Sequence, residues 1–106
     1  MINLTLIELD NNRVYFESNG HCSHDVCVAV SALCSTFLQF VREMQFEGNA
    51  EIIKEAYENG HTETDFYIHD NDTETHAGIK ALITGFELFE RNYPDEVELN
   101  YYDTSK

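Results

Sequence analysis

The stretch Gly20-His21-Cys22-Ser23-His24-Asp25-Val26-Cys27-Val28-Ala29-Val30-Ser31-Ala32-Leu33-Cys34 decides how the rest of the chain is read. Two cysteines and two histidines fall between His21 and Cys27, and a largely apolar run starts at Val26 and continues past Phe40. Ser23 and Asp25, just before the run, are both residue types that accept hydrogen bonds from the free N–H groups opening a helix. A helix from about Val26 to Phe46 is predicted, with Cys27 in its first turn. The partial positive charge there favours thiolate over thiol, and thiolate is the nucleophilic form. A histidine just upstream is placed to take the thiol proton.

Working outward, Val30, Leu33, Phe37, Val41 and Met44 recur at helical spacing, and Gly48-Asn49 ends the helix. Upstream, Ile2 to Leu9 alternates apolar and polar residues, Asp10-Asn11-Asn12 is a turn, and Arg13 to Ser18 is a second strand. Downstream, Ala50 to Tyr57 has propensities that permit a short helix. Glu58-Asn59-Gly60-His61 is a hairpin turn, however, and Thr62 to His69 reads as strand, so a second hairpin is expected. Asp70-Asn71-Asp72-Thr73 caps a second helix, whose apolar face carries Ile79, Leu82, Ile83, Phe86, Phe89 and Tyr93 and which Pro94 stops. Val97 to Tyr101 is a last strand, and Asp103 to Lys106 is expected to fray. The result is one α/β (α+β) domain over residues 1–106, ordered ββαββαβ. It is a two-layer sandwich with two helices on one face of a largely antiparallel sheet.

Composition narrows the function. The chain has 106 residues, 42% of them apolar, and a net charge of −14 from 6 basic and 20 acidic residues. That balance repels phosphate backbones and argues against direct nucleic-acid binding; it favours a basic protein or peptide partner. No apolar run reaches membrane-spanning length, because Ser31, Ser35 and Thr36 interrupt the longest. The first residues lack the pattern of a signal peptide, so a cytoplasmic location is expected. Three cysteines, an odd number, fit a reducing compartment with at least one free thiol.

Gly20-His21, followed by His24-Asp25-Val26-Cys27-Val28-Ala29-Val30-Ser31-Ala32-Leu33, resembles the ribosomal-processing cysteine protease (Prp) family of Firmicutes and their relatives. The order of the remaining elements is similar as well. The resemblance implies that His21 is the catalytic histidine, Cys27 the nucleophile and Ser31 a serine one helical turn behind it. It also implies a homodimeric endopeptidase that needs no cofactor. Such enzymes remove an N-terminal extension from a large-subunit ribosomal protein, or cleave phage capsid or scaffold proteins. One departure marks a divergent member: only Cys22 and Ser23 separate His21 from His24, where the family has a longer, glycine-containing loop.

Each residue also has a plainer reading. Cys27 is a small buried helix residue, His21 a polar strand end, Asp25 a helix cap, and Ser31 a hydroxyl bonded within its own helix. His24 competes with His21 as base, and Asp25 could orient either. Cys34 reads as core and Cys22 as a loop thiol. Two other classes stay open. One is a dimeric interaction protein without catalysis. The other is a metal module built on His21, Cys22, His24 and Cys27, whose adjacent ligands at His21-Cys22 strain a tetrahedral site. His61, His69 and His76 follow no metal spacing and read as surface residues.

Overall fold

The computed structural model describes residues 1–9 and 11–104; Asp10, Ser105 and Lys106, on which parts of the expected first turn and frayed end fall, lie outside the described residues. Among the described residues, five strands and two α-helices follow in the expected order, with a short 3-10 turn (His69–Asn71) before the second helix: β1 (Ile2–Glu8), β2 (Arg13–Gly20), α1 (His24–Phe46), β3 (Ala50–Glu58), β4 (His61–Ile68), α2 (Thr73–Asn92) and β5 (Val97–Asp103). The strands form one sheet in the order β3-β4-β2-β1-β5. All neighbours are antiparallel except β1 and β5, which run parallel. The ambiguous segment from Ala50 is a strand. It pairs with β4 along its length, with one irregularity between Ile52 and Lys54.

Alternation along the strands sends one set of side chains inward. Leu4 and Leu6 on β1, Val14 and Phe16 on β2 and Phe66 on β4 are all essentially inaccessible to solvent. From the helices, Phe37 of α1 and Phe86 of α2 complete the centre. Phe16 stacks on Phe37 at 4.6 Å between ring centroids and on Phe86 at 5.1 Å, so both helices meet the same inner face. Each buried ring contributes about 1.5–3 kcal/mol through removal of apolar surface from water. The helices approach closely where α2 carries glycine: a Cβ at Gly78 would strike the ring of Phe40 at 2.2 Å, and one at Gly85 would meet Leu33 at 2.9 Å.

The outer face is polar. Arg13 grips Asp65 with two hydrogen bonds of 2.9 and 2.6 Å, and Glu63 accepts from Tyr15 and pairs with Lys54 at 3.0 Å. Both sheet edges are blunted by helix side chains. Gln45 of α1 accepts the Ile52 N–H of β3 at 2.6 Å, and Glu90 of α2 accepts the Leu99 N–H of β5 at 2.7 Å.

Four details correct the sequence reading. First, α1 starts at His24 with Ser23 at the N-cap, and neither Ser23 nor Asp25 caps it through a side chain. Asp25 is instead the second helical residue, where its charge suits the helix dipole. Second, α1 is long and apolar enough by length and composition to cross a membrane. Its stripe from Val26 to Met44 is nevertheless buried in the core, while Ser31, Ser35, Thr36 and Arg42 face outward. Third, Tyr93 is the C-cap of α2 and is 43% exposed, outside the apolar face assigned to it. Fourth, Asp103 and Thr104 are held: β5 includes Asp103, and the Thr104 N–H donates to the Glu8 carbonyl at 2.8 Å.

Candidate active site

The loop from β2 to α1 is shaped by its backbone. Gly20 has φ +107°, a region open to glycine at little cost. A Cβ there would also collide with the Met1 carbonyl oxygen at 2.2 Å. The Gly20 N–H donates to the Gly60 carbonyl at 3.0 Å, which fastens this loop to the β3–β4 turn, and the Met1 nitrogen donates to the His21 carbonyl at 2.8 Å. His21 therefore leaves β2 in a fixed direction, and its imidazole lies against Gly60.

The first turn of α1 is anchored from the far end of the chain. The Ser23 N–H donates to Glu96 Oε1 at 2.8 Å, and hydrogen bonds from Ser23 hold the Glu96 carboxyl below the usual carboxylate range. The Cys27 N–H donates to the Ser23 carbonyl at 2.9 Å, closing the first turn. The amides of His24, Asp25 and Val26 precede the intrahelical ladder, as the opening N–H groups of any helix do. Those three, rather than the amide of Cys27, are the donors at this helix start that suit a developing oxyanion.

A cleft of about 330 Å³ lies between the start of α1 and the β3–β4 turn. His21, Cys27 and Ser31 all line it, the last two one helical turn apart on the same face. Its floor is apolar, with Ile2, Val30 and Cys34, and its far wall is the turn from Tyr57 to His61. Tyr57 and Ser35 share a hydrogen bond of 3.1 Å that joins this wall to α1. His24 and Asp25 are exposed and do not line the cleft; Asp25 borders a separate depression beside Phe89 and Glu96.

The three thiols differ. Cys27 is half-buried and faces the cleft. Cys34 is buried, and desolvation pushes its thiol up to about 11, so it stays protonated and inert. Cys22 is half-buried and its thiol is also raised, first by burial and then by the nearby Glu96 and Cys27. Among the described residues no three His, Cys, Asp or Glu side chains gather as a metal site. The set His21, Cys22, His24 and Cys27 is thus not assembled for a cation.

Sequence reading missed Gly60, Tyr57 and Glu96 as parts of this site. Gly60 carried a signal in its turn motif, but nothing local indicated that His21 would rest on it.

No family model and no curated protein matches the sequence. The fold does match solved structures. The ribosomal-processing protease Prp from S. aureus, in complex with a covalently linked product peptide, superposes with a TM-score of 0.73 at 20% identity. That match covers 95% of this chain and 99% of the other. The chain has the Prp fold. The same protease with a substrate peptide gives a TM-score of 0.72 at 18% identity, with the same coverage of both chains. A protein from Streptococcus mutans gives 0.68 at 17% identity, over 98% of this chain and 96% of that one. At such identities Prp shares the architecture with this chain, and the chemistry has to be argued from the cleft.

Proposed function

We propose that the chain is a cysteine endopeptidase with Cys27 as nucleophile and His21 as its acid–base partner. The observation that carries this reading is the meeting of His21, Cys27 and Ser31 at one cleft, on a fold shared with a peptide-processing protease. The Cys27 thiol loses its proton to the His21 imidazole, and the thiolate adds to the scissile carbonyl carbon. The resulting oxyanion is met by the helix N-terminus. As the C–N bond breaks, His21 returns the proton to the leaving amine and an acyl-enzyme remains. Water, deprotonated by His21, then releases the acid product and restores the thiol. Ser31 lines the cleft behind the nucleophile and helps to position it. No cofactor enters these steps.

The substrate is an extended peptide segment. With a net charge of −14, the surface favours a basic protein, such as a ribosomal protein carrying an N-terminal extension, or a phage structural protein. The Prp resemblance supports a cytoplasmic homodimer built from one protease domain.

The test is the pH dependence of Cys27 alkylation by iodoacetamide, with Cys22→Ser and Cys34→Ser in the background and His21→Ala for comparison. The expected result is rapid alkylation of Cys27 that persists to mildly acid pH and that His21→Ala slows. An inert Cys27, or one with the same pH profile of alkylation in both proteins, would sink the protease reading and favour a non-catalytic interaction protein.

A further inference from the structure

Cys22 and Cys27 occupy two particular positions around the start of α1. Ser23 is the N-cap, so Cys22 immediately precedes the cap and Cys27 is the fourth helical residue. Those are the positions whose side chains pack together in a hydrophobic staple, which fixes the angle at which a chain enters a helix. Both thiols are half-buried against the core. Both also converge on one carbonyl: the Ser23 oxygen accepts the Cys27 N–H at 2.9 Å and the Cys22 S–H at 3.7 Å. Cys34 has no such access to Cys27. Seven residues on along the same helix it is displaced by about 10 Å, beyond the reach of a disulfide.

We infer that Cys22 is a resolving thiol for Cys27, so that this helix start is an oxidative modification site closing as a reversible Cys22–Cys27 disulfide. The oxidant is a peroxide. The Cys27 thiolate attacks one peroxide oxygen, the O–O bond breaks, hydroxide leaves, and Cys27 becomes a sulfenic acid. The Cys22 sulfur then attacks the Cys27 sulfur and the S–O bond breaks. The hydroxyl leaves with the Cys22 proton as water, and the S–S bond remains. Burial, then Glu96 and Cys27, favour the protonated form of Cys22, whose proton leaves in that water. The disulfide itself stands on the geometry of the helix start; its consequence, a nucleophile parked and shielded from irreversible oxidation, rests on the protease reading.

The test treats the reduced Cys34→Ser protein with hydrogen peroxide and cleaves it before Asp25, between the two cysteines. The expected product is a Cys22 peptide joined to a Cys27 peptide within one chain, separated again by dithiothreitol. In a further Cys22→Ser variant, Cys27 should proceed to sulfinic acid. In the wild-type chain Cys27 and Cys34 share one peptide, and fragmentation between them locates the link, so a folding defect in a variant would not obscure the result. Sulfinic acid at Cys27 beside a free Cys22, or Cys22 linked only between chains, would overturn the inference. A Cys27 left unoxidised overturns both this inference and the reactive thiol behind the protease reading. A disulfide formed by a protein that never cleaves peptide supports the inference and removes the protease reading alone.

Discussion

The imidazole of His21 rests on the backbone of Gly60: a Cβ at residue 60 would stand 2.5 Å from Nε2 and 2.9 Å from Cε1. Gly60 also has φ +80°. The residue thus serves twice, turning the β3–β4 hairpin and leaving room for the ring.

Gly48 supplies a control for separating the two roles. It has φ +84° at the end of α1, and a Cβ there meets nothing within 4 Å. Gly48→Ala and Gly60→Ala should each cost about 1 kcal/mol from the left-handed backbone, read by urea denaturation. Only Gly60→Ala should displace His21, and Cys27 alkylation at neutral pH should fall by roughly tenfold, the equivalent of about 1.4 kcal/mol. Equal reactivity in the two variants would mean that His21 does not act on Cys27.

Thr64 is fully buried in β4, and its hydroxyl has no hydrogen-bond partner among the described residues. A buried polar group without a partner costs free energy that an isosteric methyl does not. Thr64→Val should therefore raise stability by about 1 kcal/mol, seen as a higher urea midpoint with an unchanged slope. A loss of stability would show that the hydroxyl is satisfied in solution.

Two carboxylates at the starts of helices set an acid limit. Asp72 accepts from the Thr75 N–H at 2.9 Å and from its hydroxyl at 2.6 Å, and these bonds hold it below the usual range; Ser23 does the same to Glu96. A carboxyl whose pKa is lower folded than unfolded adds stability that is complete above its unfolded value, about 4. That stability is lost as pH falls through the folded value. Asp72→Ala should lower the melting temperature by several degrees at pH 7, and the gap to wild type should close in strong acid. A gap that stays constant down the pH series would contradict this assignment.

Glu90 closes the free edge of β5 by accepting the Leu99 N–H. Glu90→Ala should cost about 1 kcal/mol and, by baring an edge donor, promote self-association detectable by light scattering. Glu90→Gln keeps an acceptor oxygen and should recover most of both effects. If Glu90→Ala behaves as wild type in both assays, the edge is guarded by something else.

The element order was legible because its signals are local. Asn59-Gly60 marks a turn, Asp72 a cap and Pro94 a stop, and the helical spacing of Val30, Phe37 and Val41 marks a buried face. Even the two-way segment from Ala50 was settled by the turn that follows it. What could not be read depends on partners distant in sequence. The start of α1 was misplaced by two residues because Glu96, rather than a side chain of Ser23 or Asp25, satisfies its first backbone donor. His21 and Cys27 could be picked out by residue type and spacing. The floor, the wall at Tyr57 and the seat at Gly60 exist only once β2, β3 and β4 have paired.

The parallel pairing of β5 with β1 has a consequence for how the molecule comes into being. Ribosomal synthesis delivers Ile2 long before Val97, yet these two residues are partners, and the Thr104 hydroxyl reaches back 96 positions to Glu8. A nascent chain that has not yet produced Glu96 has the start of α1 untethered and one flank of β1 bare. On the protease reading, the nucleophile is set in place only after Glu96 has emerged. Chains halted before Glu96 should carry a Cys27 that alkylates like a free thiol.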